Sequence, residues 1–218
     1  MILIDEPVRS AFPGLKVIDM LIAGVKVAGN DPALERAKTE VVAEVRSKYT
    51  LEGLKDQELM RKYRDFFWKV DVDPTKTRPA SEALIRRVLS GRPMPTINTL
   101  VDAYNIASIR SGVPIAAFDT DRLKGATRMR FARAGEKFLG IGMEKDTALR
   151  GVEVVLEDDE GLTAIYPYRD AERTKVTSLT TKVALLICGV PGIDDASLDH
   201  AKRLCQETVI AFCGGRLA

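Results

Sequence analysis

Histidine is nearly missing from the sequence, which contains His200 alone, and only three cysteines are present. A Ser-His-Asp or Cys-His catalytic device would have to be built around His200, which falls on the polar flank of the predicted last helix. The cysteines Cys188, Cys205 and Cys213 show no C-x-x-C spacing. We interpret them as small buried hydrophobes and expect no bound metal.

Nucleotide-cofactor motifs and membrane-spanning segments are missing as well. Gly140-Ile141-Gly142 lacks the third glycine of a dinucleotide fingerprint, no Walker lysine motif occurs, and no cofactor is expected. No apolar run approaches the ~20 residues that cross a bilayer. The N-terminal MILIDEPVRS carries acids where a signal peptide needs a basic start. We therefore expect a cytoplasmic protein without a membrane partner.

Positive charge is concentrated in the middle of the chain. The segment from Lys76 to Arg133 has eleven Lys and Arg against four acids, a net +7, whereas the whole chain carries +2. The remainder must then carry −5, which includes the acidic run from Glu157 to Glu160. This asymmetry is typical of a surface that faces a polyanion, although arginines on solvated helix and strand faces would give the same count.

Apolar periodicity predicts one mixed domain in which helices precede most of the strands. Asn30-Asp31-Pro32 indicates a helix start, while Gly91 and Gly112 stand where left-handed helix caps are needed. Helices are expected over about 32 to 49, 56 to 68, 80 to 90, 97 to 111 and 197 to 212. Strands are expected within 15 to 27 and over 114 to 118, 127 to 132, 137 to 142, 152 to 157, 162 to 168 and 183 to 189. The sequence EDDEG should form a hairpin turn between two of these strands.

Two adjacent motifs connect the basic segment to a known family. Residues 95 to 105 are PTINTLVDAYN and residues 112 to 119 are GVPIAAFD, preceded by Pro79 and Arg86-Arg87 and followed by Gly125. In order and spacing they resemble the tRNA-binding B-three/B-four domain of the phenylalanyl-tRNA synthetase beta chain. Tyr168-Arg169-Asp170, followed by several threonines, is similar to the second half of that domain in free-standing members. The resemblance covers about residues 78 to 214.

The resemblance implies an α+β fold with three layers around a β-sandwich of unusual topology and flanking helices. Residues 1 to 218 would form one such domain, with residues 1 to 75 as an N-terminal strand and helical extension of a stand-alone protein. In the synthetase this module deacylates tRNA wrongly charged with tyrosine. The implied function is binding of tRNA or aminoacyl-tRNA, with hydrolysis of mischarged aminoacyl-tRNA in trans as the activity; a complete tRNA ligase is not expected.

Two positions depart from the synthetase pattern. The histidine that precedes Ala-Phe-Asp there is Ala116 here, and apolar residues near Ile187 and Cys188 replace the expected pocket glutamate. Hydrolysis of an activated ester needs mainly a positioned water and the terminal ribose hydroxyl, whereas selection of tyrosine needs a partner for the tyrosine hydroxyl. We therefore expect either a different amino acid or a non-catalytic module that binds a small ligand or a protein partner.

Candidate residues follow from the motifs and the charge count. We expect Asn105, Asp119 and Arg169-Asp170 to converge on one cleft, with Asn105 and Thr177 as candidates for placing water and ribose. The predicted pocket comprises Asn98, Asp102, Asn105, Ala116, Asp119, Arg169, Asp170, Thr174 and Thr177. The structural alternatives are a helix cap for Asn98, a solvated or arginine-paired acid for Asp102, and a turn residue for Asp119. Predicted RNA contacts are Arg86, Arg87, Arg92, Arg128 and Arg130, the last two on one strand face.

Overall fold

The computed structural model describes residues 2–218, and five of the six α-helices in this range lie close to the predicted ones, whereas the first, Glu6–Ala11, is not predicted by the sequence. They are α1 (Glu6–Ala11), α2 (Pro32–Lys48), α3 (Glu58–Lys69), α4 (Ala80–Leu89), α5 (Thr99–Ser111) and α6 (Asp195–Cys213). Asp31 caps α2 as predicted, because its carboxylate accepts the backbone N–H groups of Ala33 and Leu34 at 2.7 and 2.9 Å. Gly112 ends α5 at φ +75°, a left-handed conformation that suits glycine.

Most of the longer strands are predicted by the sequence, whereas several two-residue strands are not. They are β1 (Leu3–Ile4), β2 (Val17–Ala23), β3 (Ile115–Asp119), β4 (Arg128–Phe131), β5 (Lys137–Phe138), β6 (Thr147–Ala148), β7 (Val154–Asp158), β8 (Gly161–Ile165), β9 (Arg169–Asp170), β10 (Lys182–Cys188) and β11 (Arg216–Leu217). The strand predicted at 137 to 142 is wrong beyond Phe138, because Gly142 turns the chain at φ +79°. The predicted hairpin joins β7 to β8.

Two sheets and a helical layer make up the fold. Sheet A has the strand order β1-β4-β7-β8-β9, and sheet B has the order β11-β2-β10-β3. One face of sheet B packs on α5 and α6, which also pack on each other. The opposite face carries Ala116 beside Leu186, paired in register, and these residues meet Leu156 and Ala164 of sheet A. The predicted α+β fold is confirmed, with the two sheets stacked as a sandwich beside the helices.

The first 75 residues contribute to the same core. Strand β2 lies inside sheet B between β11 and β10, and α2 packs against α4 and α5. At the contact between α2 and α5, Lys38 Nζ lies 3.0 Å from Asp102 Oδ2 and 2.7 Å from Thr96 Oγ1. Both charged side chains are almost fully buried. None of the helices within residues 2–218 has the length and apolar character of a membrane span.

Candidate functional site

A cavity of about 130 Å³ lies between the two sheets and is bordered by α5; we call it the sandwich cavity. Most of its lining is apolar or aromatic: Ala80, Ile115, Ala116, Leu156, Ala164, Ile165, Tyr166, Pro167, Tyr168, Leu186 and Cys188. A cavity of ~150 Å³ is large enough to bind a benzene ring. The sandwich cavity therefore has room for a compact apolar group.

Three further lining residues, Tyr104, Asn105 and Asp170, bring polar groups to the sandwich cavity. Within residues 2–218, neither the Tyr104 hydroxyl nor the Asn105 amide makes a hydrogen bond, although both side chains are partly buried. Buried polar groups in native proteins nearly always have partners. The unused hydrogen-bonding capacity of these two side chains is therefore available to a bound molecule.

Asp170 extends from β9 at the edge of sheet A toward β3 in sheet B. Its Oδ2 accepts the backbone N–H of Ala117 over a long 3.4 Å. Burial raises the pKa of Asp170 to about 7, against the smaller lowering effects of the Ala117 hydrogen bond and of Arg169. Negative charge on Asp170 in turn adds to the effect of burial in raising the pKa of Tyr104. The cavity thus contains a carboxyl group that changes charge near neutral pH.

Two other tyrosines hold the cavity wall in place. The hydroxyl of Tyr63 donates to the carbonyl of Cys188 at 2.6 Å, and the hydroxyl of Tyr166 donates to the carbonyl of Gly189. Both side chains are fully buried, so their hydroxyls are committed to the end of β10. Burial also raises the pKa of the Cys188 thiol, which makes it a poor nucleophile despite its position in the lining.

The structure brings three of the predicted pocket residues together, namely Asn105, Ala116 and Asp170, but it places Asp119 elsewhere. Asp119 ends β3, and its carboxylate accepts a hydrogen bond from Thr180 Oγ1 at 2.6 Å. The predicted convergence of Asp119 on the same cleft is therefore wrong. The difference reflects position along the strand, because Asp119 ends β3 opposite Val183 near the start of β10, whereas Ala116 pairs with Leu186 near the end of β10.

The threonines before β10 form a turn and do not line the sandwich cavity. Thr177 Oγ1 accepts the N–H of Leu179 at 3.2 Å, and the N–H of Thr177 donates to Thr180 Oγ1 at 2.9 Å. Thr174 is buried outside the cavity, and its hydroxyl lacks a partner within the described chain. The structure therefore places Thr174 and Thr177 outside the sandwich cavity, and the Thr177 hydroxyl helps to shape the turn that precedes β10.

Asn98 and Asp102 have structural roles at the start of α5. Asn98 caps the helix by accepting the N–H of Val101 at 2.9 Å. Asp102 accepts the N–H of Ile97 at 3.1 Å and the ammonium of Lys38 at 3.0 Å. Neither residue lines the sandwich cavity. Asp102 is also buried and paired with a lysine of α2, which corrects the expectation of a solvated or arginine-paired acid.

Arg169 and Asp170 point to opposite faces because they are neighbours in β9. The Arg169 guanidinium is exposed and donates to the carbonyl of Ile141 at 3.1 Å. Its side chain covers Gly140, where an added Cβ would come within 2.6 Å of Arg169 Cγ. Arg169 therefore braces the segment after β5 and is not a residue of the sandwich cavity, contrary to the prediction.

A second feature, which we call the α4 groove, lies on the outer side of α4. Its volume is about 540 Å³, and its lining includes no acid but five cations: Lys76, Arg78, Arg86, Arg87 and Arg92. Arg86 is engaged with Glu82 at 2.8 Å, and Arg87 Nε donates to the carbonyl of Pro93 at 2.6 Å. Three of the predicted RNA contacts therefore share one concave, positively charged surface.

The other two predicted RNA contacts lie on sheet A. Arg128 is half exposed, with its guanidinium 3.5 Å from the carboxylate of Asp5. Arg130 shares its strand face, as predicted, but is buried and forms ion pairs with Glu136 and Glu157. The hydrogen bonds to these two carboxylates raise the pKa of Arg130 further, and their negative charges balance its positive charge. Arg130 is therefore less accessible to a phosphate group than Arg128.

The chain is similar in sequence to known proteins. A family model described as "B3/4 domain" matches residues 62–208, a range that includes every residue lining the sandwich cavity. The phenylalanine–tRNA ligase beta subunit of Bartonella henselae is 28% identical over 159 residues, which cover 62% of this chain and 20% of that subunit. The corresponding subunit of Mycobacterium leprae is 35% identical over 119 residues, which cover 54% of this chain and 13% of that subunit. The chain thus spans a fifth or less of these relatives.

A solved structure supports the fold. An N-terminal fragment of the phenylalanyl-tRNA synthetase beta subunit from Pyrococcus horikoshii aligns with 100% of this chain and 50% of the fragment. The TM-score is 0.52 and the sequence identity is 15%. At that identity the likeness establishes a shared α+β architecture.

Proposed function

Because the chain belongs to the B3/4 domain family, we propose that it binds tRNA in the cytoplasm, admits the aminoacylated 3′ end to the sandwich cavity and hydrolyses the aminoacyl ester there. The observation that carries this proposal is the sandwich cavity, in which apolar walls surround Tyr104 and Asn105, whose polar groups have no hydrogen-bond partner within residues 2–218. An apolar site with a few convergent polar groups is the usual form of a small-molecule binding site.

The chemistry available in the cavity fits direct attack by water on the ester better than attack by a nucleophilic side chain. The cavity lining contains no histidine, serine or lysine, and its one thiol, Cys188, has a raised pKa. An aminoacyl ester is already activated, so a water held beside its carbonyl carbon and aided by the terminal ribose hydroxyl is sufficient. The Asn105 amide and the Tyr104 hydroxyl are donors that could orient this water or stabilise the developing oxyanion.

The α4 groove supplies the complementary surface for a nucleic-acid backbone. Ala80, the first residue of α4, lines the sandwich cavity, and Arg78, two residues earlier, lines the groove. The two features therefore adjoin at the N-terminal end of α4. A tRNA whose 3′ end enters the cavity would pass its terminal phosphates along this groove, where arginine and lysine bind phosphate by charge and hydrogen bonds.

The decisive experiment is a deacylation assay with a panel of correctly and wrongly charged tRNAs. We expect faster release of at least one amino acid than in buffer, with the largest effect for compact apolar side chains that the 130 Å³ cavity admits. Release that remains at the buffer rate for every charged tRNA would refute hydrolysis. Binding of the same tRNAs, measured in parallel, tests the RNA-binding part of the proposal separately.

A non-catalytic binding module is the second candidate, and the size of the sandwich cavity favours it. About 130 Å³ is below the ~300–1,000 Å³ of ordinary ligand sites, so a whole aminoacyl-adenosine end would fill only its mouth. On this alternative the protein retains a small ligand or a protein partner without turnover. Tight binding of a charged tRNA with no acceleration of its hydrolysis would select this alternative.

A further inference from the structure

Asp170 differs from the buried carboxylates of the described chain in having no cation within ion-pair distance. Each of those five has a Lys or Arg nitrogen within 3.9 Å: Glu82, Asp102, Asp119, Glu153 and Asp158. Within residues 2–218, Asp170 has only the 3.4 Å hydrogen bond from Ala117. A desolvated carboxylate without a partner lowers the stability of the folded protein, whereas one that pairs with a cation of a ligand contributes to binding that ligand.

The neighbouring charged and titratable groups do not fill this gap. Arg169 is adjacent in sequence, but its guanidinium is held by the carbonyl of Ile141 on the other face of β9. Tyr104 of α5 and Cys188 of β10 face Asp170, and both are neutral at physiological pH because burial raises their pKa. Within residues 2–218, no cation balances ionised Asp170, which leaves this position open to a cation that a ligand brings.

We propose that Asp170, with Tyr104 and Asn105, forms a binding site for a primary ammonium group carried on a compact apolar skeleton. An ammonium has three donors and no acceptor. The Asp170 carboxylate, the Tyr104 hydroxyl oxygen and the Asn105 carbonyl oxygen are three acceptors that line one cavity. The apolar walls and the volume of about 130 Å³ then limit the attached group to about the size of an aromatic ring or smaller.

The choice of biological ligand rests on the proposed function. The free α-amino group of an aminoacyl ester is a primary ammonium next to a side chain, so the site would recognise aminoacyl-tRNA by its α-ammonium and leave the side chain among the apolar residues. This recognition requires the amino group to be unblocked. Peptidyl-tRNA or N-acylated aminoacyl-tRNA lacks the charge and would be excluded.

The ammonium site is tested directly by NMR titration with 2-methylpropylamine and with the neutral 2-methyl-1-propanol of similar shape. The amine stays charged at pH 8, since alkylammonium groups titrate near ~10.4. We expect it to shift the Ala117 N–H and the Asn105 side-chain amide and to bind at least about tenfold more tightly than the alcohol. The preference should vanish in Asp170→Asn and persist in the matched surface control Asp121→Asn. Equal binding of amine and alcohol, or an unchanged preference in Asp170→Asn, would overturn the inference.

A second experiment separates this inference from the proposed function. Single-turnover hydrolysis is compared for a tRNA charged with a small apolar amino acid and for the same tRNA after N-acetylation. We expect acetylation to slow hydrolysis at least about tenfold in the wild type and to have little effect in Asp170→Asn. Equal rates on both substrates would overturn ammonium recognition while hydrolysis stands. An equal loss on both substrates in Asp170→Asn would also overturn it and make Asp170 a general base. If no charged tRNA is hydrolysed, the proposed activity fails and the amine titration alone decides.

Discussion

Replacing Asp170 with asparagine should change how the stability of the protein depends on pH. The pKa of this carboxyl is about 7 in the folded protein, compared with 3.8 for an ordinary aspartate. The folded state therefore keeps a proton that the unfolded chain releases between about pH 4 and pH 7. By linkage, the stabilisation that depends on this proton is fully present below pH 4 and is lost as the pH rises through 7.

The magnitude follows from the size of the pKa shift. One pKa unit corresponds to about 1.36 kcal/mol, so a shift of roughly three units corresponds to at most about 4 kcal/mol. Asp170 is partly exposed and water can enter the sandwich cavity, which screens part of this energy. Between pH 4.5 and pH 8 the unscreened loss is about 3 kcal/mol, because part of the shift lies below pH 4.5. After screening, we expect the wild type to lose about 1–3 kcal/mol more stability than Asp170→Asn over this range.

Urea unfolding of both proteins across this range measures the effect, since the free energy of unfolding is obtained at each pH. The Asp121→Asn variant, which neutralises an exposed aspartate, controls for the change in net charge. The variant at position 170 should be the more stable protein at pH 8 and nearly equal to the wild type at pH 4.5. A difference between the two that stays constant with pH would show that Asp170 is not desolvated as the structure indicates.

Three further predictions concern the core, the groove and the cavity. Lys38→Met should lower the free energy of unfolding by about 3–5 kcal/mol, because it leaves the buried Asp102 carboxylate unpaired. In urea unfolding, the double variant Lys38→Met with Asp102→Leu should lose less stability than Lys38→Met alone. A loss below about 1 kcal/mol for Lys38→Met would contradict this prediction. Changing Arg78, Arg87 and Arg92 to alanine should weaken tRNA binding and reduce the slope of log affinity against log salt by about 0.7–0.9 for each phosphate that the variant no longer neutralises. Arg128→Ala should change the affinity and the slope little. An unaltered slope in filter binding would show that the RNA binds elsewhere on the protein. Asn105→Ala should lower single-turnover deacylation by about 10² if the amide donates a hydrogen bond in the transition state, and exposed His200→Ala should not, so the reverse result would move the chemistry to α6.

The longer elements can be predicted from sequence because their signals are local. The start of α2 depends on Asp31 and Pro32, and the end of α5 depends on Gly112, all within one turn of the boundary they set. The two-residue strands β1, β9 and β11 escape prediction. They have too few residues for a period, and they are strands only because a distant partner lies alongside, as Leu3 does beside Arg128.

The candidate site can be predicted in part, for a reason visible in α5. Asn105 is polar at a position of a motif, which singles it out, whereas Tyr104 is an aromatic residue in a helix with many apolar neighbours, a pattern that indicates core packing. The signal that could have identified Tyr104 is its position directly before Asn105. Its hydroxyl has no partner in the described chain, and that absence is known only once the surrounding residues are placed.

Counting charges along the chain misassigns Arg130, because strand pairing brings acidic residues from another part of the sequence next to it. The count assigns Arg130 to a positive surface, yet β4 lies beside β7, and the register places Glu157 opposite Arg128, one pleat from Arg130. Glu157 belongs to the acidic run that the sequence separates from the basic segment, and together with Glu136 it neutralises Arg130. In the α4 groove only Arg86 is paired with an acid, because the single acid of α4, Glu82, is bonded by Arg64 and Arg86 and no acid lines the groove. The positively charged surface is therefore smaller than the charge count from Lys76 to Arg133 indicates, and it includes the α4 groove.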